Sequence, residues 1–351
     1  MTDRLRVGVV LGGRSSEREI SLETGRNVFH SLDAARYEPV ALYMDAAGRL
    51  WQIGLNLVVQ NTTRDIEARL AADAVRVPYD ELPQRVDFVY IGLHGKYGED
   101  GCFQGLLELL DLPYAGSGVL ASALGMDKHA QRFLLRAAGI DVPASVPVSD
   151  AEWRADAAAV AARVADRLGY PCVVKPSREG CSTALAVVRD PAGLAPAVDE
   201  ALRWDSLALV EEMLHGVEVT VAVLGNDEPH AYPPTETPPK GDFLTVEEKF
   251  LPGEGVNITP ARLPATTLDA VRAVAVRAFR TLGLSAFARM DMVVTPDGRI
   301  VMLEPNTLPG SSPSSTIFLG PMEEGVGPSA LLTRVIDLSL QAHAAKRGPL
   351  G

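Results

Sequence analysis

The sequence predicts an α/β protein built from more than one domain, on three observations. Its composition is rich in alanine and valine and poor in aromatics (47% hydrophobic, 6% Phe, Trp and Tyr), the residue usage of helices layered on sheets. Short β-branched runs at 5–12 and 87–93 end in glycine-rich loops, and the first leads straight into helical apolar spacing, the strand–turn–helix order of an open parallel sheet. Finally, 351 residues exceed the ~250–300 at which a single core stops growing.

A formal net charge of −12 argues against a nucleic-acid partner, which needs a basic stripe, so any phosphate has to be bound by local sites. Cys102, Cys172 and Cys181 share no metal-ligand or redox spacing and are too few for a disulfide framework. That usage fits a reducing, cytoplasmic setting. No segment reaches the ~18 consecutive apolar residues of a membrane span, and the apolar run near the N-terminus reads as a first strand.

Strand 5–12 runs into Gly12-Gly13-Arg14-Ser15-Ser16-Glu17, and 17–32 has helical spacing. A strand, a glycine turn and a helix N-terminus at a sheet's carboxyl end form an anion or amino-acid site. The dinucleotide pattern GxGxxG is absent. Glu17 and Glu19 either favour the helix dipole or meet a substrate ammonium. A second strand covers 38–44, with a hairpin at 45–48. The third, 87–93, ends at His94-Gly95-Lys96-Tyr97-Gly98-Glu99-Asp100-Gly101, whose glycines and ionisable side chains suit a ligand loop. Helices follow at 103–110 and 122–139, the latter carrying Met126-Asp127-Lys128.

Prolines in 143–150 predict a linker; 151–168 then reads as a helix and 170–176 as a strand presenting Lys175. The polar loop 177–183 leads into strand 184–188. A cation fixed on a strand beside such a loop makes a phosphate clamp, distinct from the P-loop pattern. Helix 190–202 and strands 208–211 and 218–224 come next. Glu211 and Glu218 flank a connection able to hold an adenine through backbone groups and a ribose through a carboxylate. Residues 233–262, rich in proline and glycine, predict a lid whose 243–251 part packs on closure. A helix over 266–282 follows, and a Ser/Pro/Gly-rich loop at 310–328 leads to a last helix at 329–346.

Between them lies ARMDMVVTPDGRIVMLEPNTLPG at 288–310, which concentrates the chemistry. Two apolar runs, 290–295 and 299–303, flank the turn Pro296-Asp297-Gly298 and predict a β-hairpin. Strand alternation puts Arg289 and Asp291 on one face and does the same for Glu304 and Asn306. Two carboxylates and an amide oxygen form a hard-oxygen set for Mg²⁺, completed by nucleotide phosphates.

Together these segments resemble the D-alanine–D-alanine ligase family of ATP-grasp enzymes. The pieces are LGGRSSEREISL at 11–22, HGKYGEDGCFQG at 94–105, PYAGSGVLASALGMDK at 113–128, VVKPSREG at 173–180, and ARMD with EPNTLPG on the hairpin; their order spans essentially the whole chain. The resemblance implies a three-domain ATP-grasp architecture: an N-terminal open parallel α/β sheet (1–125) for the first substrate, then two α+β domains (126–216 and 217–351) gripping ATP. It implies that Lys128 and Lys175 hold phosphates, Glu218 the ribose, and Glu211 with Leu214 the adenine. Asp291, Glu304 and Asn306 would hold two Mg²⁺ ions, for which Mn²⁺ can substitute. Arg289 and the Gly310 N–H would stabilise developing charge. Glu17, with His94 nearby, would receive the first D-amino acid's ammonium, while Lys249 and Ser315 would hold the second substrate's carboxylate. The implied setting is peptidoglycan precursor synthesis by a cytoplasmic homodimer with small-molecule substrates, no nucleic acid and no membrane.

Two positions depart from the family's pattern: Cys181 stands where serine is usual and Phe250 where tyrosine is usual. The family's hydroxyls join the N-terminal glutamate in fastening the lid. A thiol donates weakly and a phenyl ring not at all, and each lost hydrogen bond is worth about 0.5–1.5 kcal/mol. Phe250 also resembles the D-alanine–D-lactate ligases. Three alternatives therefore stay open: a hydroxy-acid ligase, a specialised amino-acid ligase of a biosynthetic pathway, and a non-catalytic nucleotide or amino-acid sensor. Retention of Lys128, Lys175, Arg289, Asp291, Glu304 and Asn306 counts against the sensor.

Overall fold

The computed structural model describes residues 4–180, 183–238, 241 and 255–346. The named strands among them form three sheets, and the cleft between those sheets collects the loops singled out above.

In the first sheet, β1 (Leu5–Gly12), β2 (Tyr37–Met44) and β5 (Phe88–Ile91) are parallel, and β3 (Leu50–Ile53) and β4 (Ala74–Val77) extend the β2 edge antiparallel. The centre is thus the expected open parallel sheet. Apart from Arg6 and Glu38 near their starts, these three strands read as apolar runs because both faces are buried along most of their length. The two edge strands are four residues each and too short to stand out as periodic. Helix α1 (Arg18–Ser31) covers β1 so closely that a Cβ on Gly25 would lie 2.4 Å from Leu11 Cβ.

Aspartates divide two helices that apolar spacing alone presents as continuous. The 122–139 segment is α2 (Val119–Met126) and α3 (Lys128–Ala137). Asp127 between them accepts from the N–H groups of His129 (3.1 Å) and Ala130 (3.0 Å), the bonds a helix N-cap supplies. In the same way 151–168 is Asp150–Ala155 and Ala157–Arg167, with Asp156 capping the second. The apolar side of α3, through Leu135, packs into the core of the third sheet with Phe279 and Met302, which fixes Lys128 at its first turn.

The second sheet is antiparallel with the order β6-β9-β7-β8: β6 (Ser145–Ser149), β7 (Cys172–Pro176), β8 (Ala186–Val188) and β9 (Leu207–Glu212). The expected linker at 143–150 is therefore largely a strand. Val146 and Val148 alternate into the core, and Pro147 is tolerated because β6 lies at the sheet edge. Helix α4 (Leu194–Trp204) packs on β7 and β9 through Val198 and Ala201.

The third sheet runs β11-β10-β13-β14, where β10 is Val217–Gly225, β11 His230–Ala231, β13 Ala286–Val294 and β14 Ile300–Asn306; β12 (Thr235–Glu236) also pairs β10. Helix α5 (Ala265–Thr281) covers it. The expected hairpin is present, with a register shift between Asp291 and Met292. Of the expected lid, 233–238, 241 and 255–262 are described. Glu236 bridges to Ile258 and pairs with Arg262 at 2.7 Å; residues 243–251, including Lys249 and Phe250, lie outside the described residues, as does Cys181.

Candidate active site

Four loops from the three sheets converge on one cleft, lined by Glu17, His94, Glu99, Lys128, Gly180, Arg289, Glu304, Asn306, Thr307 and Gly310 among others. Seven of the residues singled out in the sequence, Glu17, His94, Lys128, Arg289, Glu304, Asn306 and Gly310, are thereby brought together.

The hairpin supplies one wall. Asp291 faces Glu304 directly across the ladder, and Arg289 faces Asn306, so all four side chains leave one face of the sheet. Arg289 holds Asp291 in a two-pronged pair, Nε–Oδ1 2.7 Å and Nη2–Oδ2 2.6 Å. Lys128 Nζ lies 2.9 Å from Glu304 Oε2 and donates to the Glu179 carbonyl at 2.7 Å. Burial opposes the charge on Lys128, but Glu304 and then Glu211 outweigh it and raise the ammonium's pKa. Asn306 Oδ1 accepts from Leu308 N–H at 3.1 Å and keeps a second lone pair.

These donors suit a hard divalent cation. Two opposed carboxylates and an amide oxygen are oxygen-only, too few for a closed cage, and leave room for phosphate oxygens, the set Mg²⁺ prefers. Among the described residues no group of three or more His, Cys, Asp or Glu gathers into a metal site.

The first sheet supplies the opposite wall. Glu17 is buried at the start of α1. His94, also buried, is held from several sides. Its backbone N–H donates to Ser21 Oγ (2.9 Å), its carbonyl accepts from Ser15 Oγ (2.6 Å), and its Nε2 lies 2.8 Å from Thr24 Oγ1. Glu99 stands 4.0 Å from His94 Nδ1 and receives the Gly95 N–H at 2.6 Å. Gly310 is positioned by its neighbour Ser311, whose N–H donates to Thr24 Oγ1 (3.2 Å) and whose carbonyl accepts from Asn27 (2.6 Å).

Lys175, Glu211, Leu214, Glu218, Asp291 and Ser315 lie outside the lining of that cleft. Lys175 on β7 and Glu211 on β9 form a second, largely buried group: the Glu211 carboxylate pairs with Lys175 Nζ at 3.1 Å and with Arg132 Nη1 at 2.6 Å. Burial pushes the Glu211 carboxyl up, yet the two cations hold it below its usual range. Burial lowers the Lys175 ammonium in spite of Glu211. Leu214 is half-buried in the connection after β9, and Glu218 sits on β10 opposite Val293. Ser315 is buried in a serine turn, its Oγ 2.9 Å from Ser312 Oγ.

Sequence reasoning missed Arg132, which is 1% exposed. Its signal was available: it follows Lys128 by four positions on α3, and therefore shares its helix face. Glu99 was visible inside the 94–101 motif, but nothing in its spacing marked it individually as a residue of the cleft lining.

Comparison with known proteins decides the lineage. Residues 6–117 match the model described as the D-ala D-ala ligase N-terminus, and residues 134–337 match that of the D-ala D-ala ligase C-terminus. The chain belongs to the D-alanine–D-alanine ligase family. Within this family it is 35% identical to the D-alanine–D-alanine ligase of Geobacillus thermodenitrificans over 358 aligned residues, covering 98% of each chain. Among solved structures, the D-Ala:D-Ser ligase of Enterococcus faecalis matches with a TM-score of 0.83 at 29% identity over 96% of this chain and 100% of that one. The D-alanine–D-alanine ligase from Bacillus anthracis complexed with ATP gives 0.76 at 29% identity over 97% and 99%. The two family models thus cover the segments that supply the cleft lining except for Gly125, Met126 and Lys128, and the ATP-grasp fold expected from the sequence is the fold observed.

Proposed function

We propose that this family member is an ATP-dependent ligase that joins D-alanine to D-alanine for peptidoglycan precursors. The observation that carries it is the cleft itself, in which a carboxylate suited to an amino-acid ammonium (Glu17) faces a cation and carboxylate wall (Lys128, Arg289, Glu304) suited to phosphoryl transfer.

In this mechanism the first D-alanine is anchored by its ammonium on Glu17, with His94 and Glu99 behind it. One oxygen of its carboxylate attacks the γ-phosphorus; the bond from that phosphorus to the β–γ bridging oxygen breaks, giving ADP and an acyl phosphate. The second D-alanine's amine then attacks the acyl carbon, phosphate leaves with the C–O bonding pair, and the amine proton is lost. Lys128 and Lys175 hold phosphates, Glu218 the ribose, and backbone groups of Glu211 and Leu214 the adenine. Arg289 and the Gly310 N–H stabilise the negative charge that builds during both displacements, a preorganised effect that needs no reorganisation as the reaction proceeds. Ser315 and Lys249 belong to the second substrate's carboxylate. Mg²⁺ held by Asp291, Glu304 and Asn306 would neutralise phosphate charge.

The domain division at 1–125, 126–216 and 217–351, the cytoplasmic homodimer and the absence of nucleic-acid or membrane partners belong to the same proposal. Among the described residues no helix is long and apolar enough to cross a membrane.

A second reading changes only the acceptor. Phe250 at the usual tyrosine position, and the match to a D-Ala:D-Ser ligase, favour a ligase whose second substrate is another D-amino acid or a D-hydroxy acid. Mass spectrometry of the products formed from D-alanine with equal D-serine or D-lactate, ATP and Mg²⁺ separates the two. Predominant D-alanyl-D-alanine supports the first reading, and predominant mixed product or ester overturns it in favour of the second.

A further inference from the structure

The loop that enters the cleft from the second sheet is anchored residue by residue. Ser177 donates through its N–H to the Leu207 carbonyl at 2.9 Å and through Oγ to Asp127 at 3.2 Å. Arg178 is fastened to Asp205, its N–H at 2.9 Å from Oδ2 and Nη2 at 2.5 Å from Oδ1. Glu179 is held differently. Its carbonyl accepts from Lys128 Nζ, while its carboxylate, whose side chain is 6% exposed, pairs with Lys96 from the 94–101 loop of the first sheet. Lys96 Nζ also donates at 3.0 Å to the carbonyl of Trp204, the last residue of α4, where a cation complements the negative end of the helix. Gly180 follows, against Glu17.

We propose that Lys96 is a positioning residue for the ligation reaction: paired with Glu179 and with the end of α4, it clasps the 177–180 loop over the cleft. The proposal rests on the ligase function argued above. Two consequences make the clasp more than a surface ion pair, which by itself is worth little. The buried Glu179 carboxylate loses its cation if Lys96 is removed, and a buried charge without a partner is costly. The Glu179 carbonyl also positions Lys128, so displacement of the loop moves a phosphate-binding ammonium and opens a path for water to the activated carboxylate.

The test uses the full chain carrying K96M, K96E and the charge reversal K96E/E179K. Three quantities are read: phosphate released per dipeptide formed from ATP and D-alanine, KM for ATP, and hydrogen exchange of the 177–180 amides without substrates. The clasp predicts that K96M raises both the phosphate-to-dipeptide ratio and KM for ATP roughly three- to tenfold, since it removes the contacts that a partly exposed cation makes to Glu179 and to the Trp204 carbonyl. Exchange at 177–180 accelerates more than at amides remote from the loop, and Tm falls in K96M because the buried Glu179 carboxylate loses its cation. K96E is worse than K96M, and adding E179K recovers most of the loss. Wild-type ratio, KM and exchange in K96M, or a reversal no better than K96E alone, overturns the proposal. If the wild type forms no ligated product, the function fails; exchange, which needs no turnover, still decides whether Lys96 holds the loop.

Discussion

Gly180 meets the carboxylate of Glu17 so closely that a Cβ on the glycine would lie 2.3 Å from Glu17 Oε1. The central loop and the Glu17 carboxylate therefore occupy adjoining space, and only a residue without a side chain lets both stay where they are. G180A should displace Glu17, the flexible partner, more than it destabilises the fold. The expected outcome in steady-state kinetics is a rise of about tenfold or more in KM for the first D-alanine, since small misplacements of a reacting group are expensive, with Tm nearly unchanged.

Asp291 and Glu304 oppose each other across the hairpin, each already paired with a cation, Arg289 and Lys128 respectively. D291N and E304Q should raise the Mg²⁺ concentration needed for half-maximal ligation by roughly 10- to 100-fold, the scale seen when a metal site's supporting interactions are lost. A Mg²⁺ titration at saturating ATP reads this. Unchanged Mg²⁺ dependence in both variants would remove these residues from the metal site.

Glu211 sits between two cations, the buried Arg132 and the largely buried Lys175. E211Q leaves both without their shared counter-charge, which should cost about 3–5 kcal/mol in denaturant unfolding. R132M instead leaves Glu211 and Lys175 as a one-to-one pair and replaces a buried charge with an apolar side chain of similar length. Its cost should be clearly smaller than that of E211Q. The reverse ranking would contradict the charge arrangement.

How much of this was legible in the sequence differs by element. The apolar runs of β1, β2 and β5 and the Pro296-Asp297-Gly298 turn specify their strands through local chemistry, and the hairpin alternation already aligned Arg289 with Asp291 and Glu304 with Asn306. The break at Asp127 was hidden because apolar spacing continues through it, although an aspartate before a helical run is itself a cap signal. Strand β6 was masked by prolines that an edge position accommodates. Contacts between distant segments, Arg132 with Glu211 and Lys96 with Glu179, have no local signature: each joins residues whose neighbourhood is set only when separate sheets pack together.

Asp205 anchors Arg178, and its carboxyl is held below the usual range: burial pushes it up, but the Arg178 guanidinium and backbone N–H groups prevail. A carboxylate with a depressed folded pKa contributes stability that is complete above its unfolded value of about 4 and is lost as pH falls through the lower folded value. D205N removes that contribution at neutral pH. Its stability, followed by chemical unfolding from neutral to acidic pH, should therefore start lower than the wild type's and fall less steeply below about pH 4. Parallel curves would contradict the assignment.

The central claim is that ATP activates a D-alanine carboxylate before the amide forms, and heavy-oxygen-labelled D-alanine tests it most directly. With label in the carboxylate, ATP, Mg²⁺ and this protein, the account predicts D-alanyl-D-alanine together with inorganic phosphate carrying one labelled oxygen per dipeptide. Unlabelled phosphate, or ADP formed without any ligated product, would contradict it.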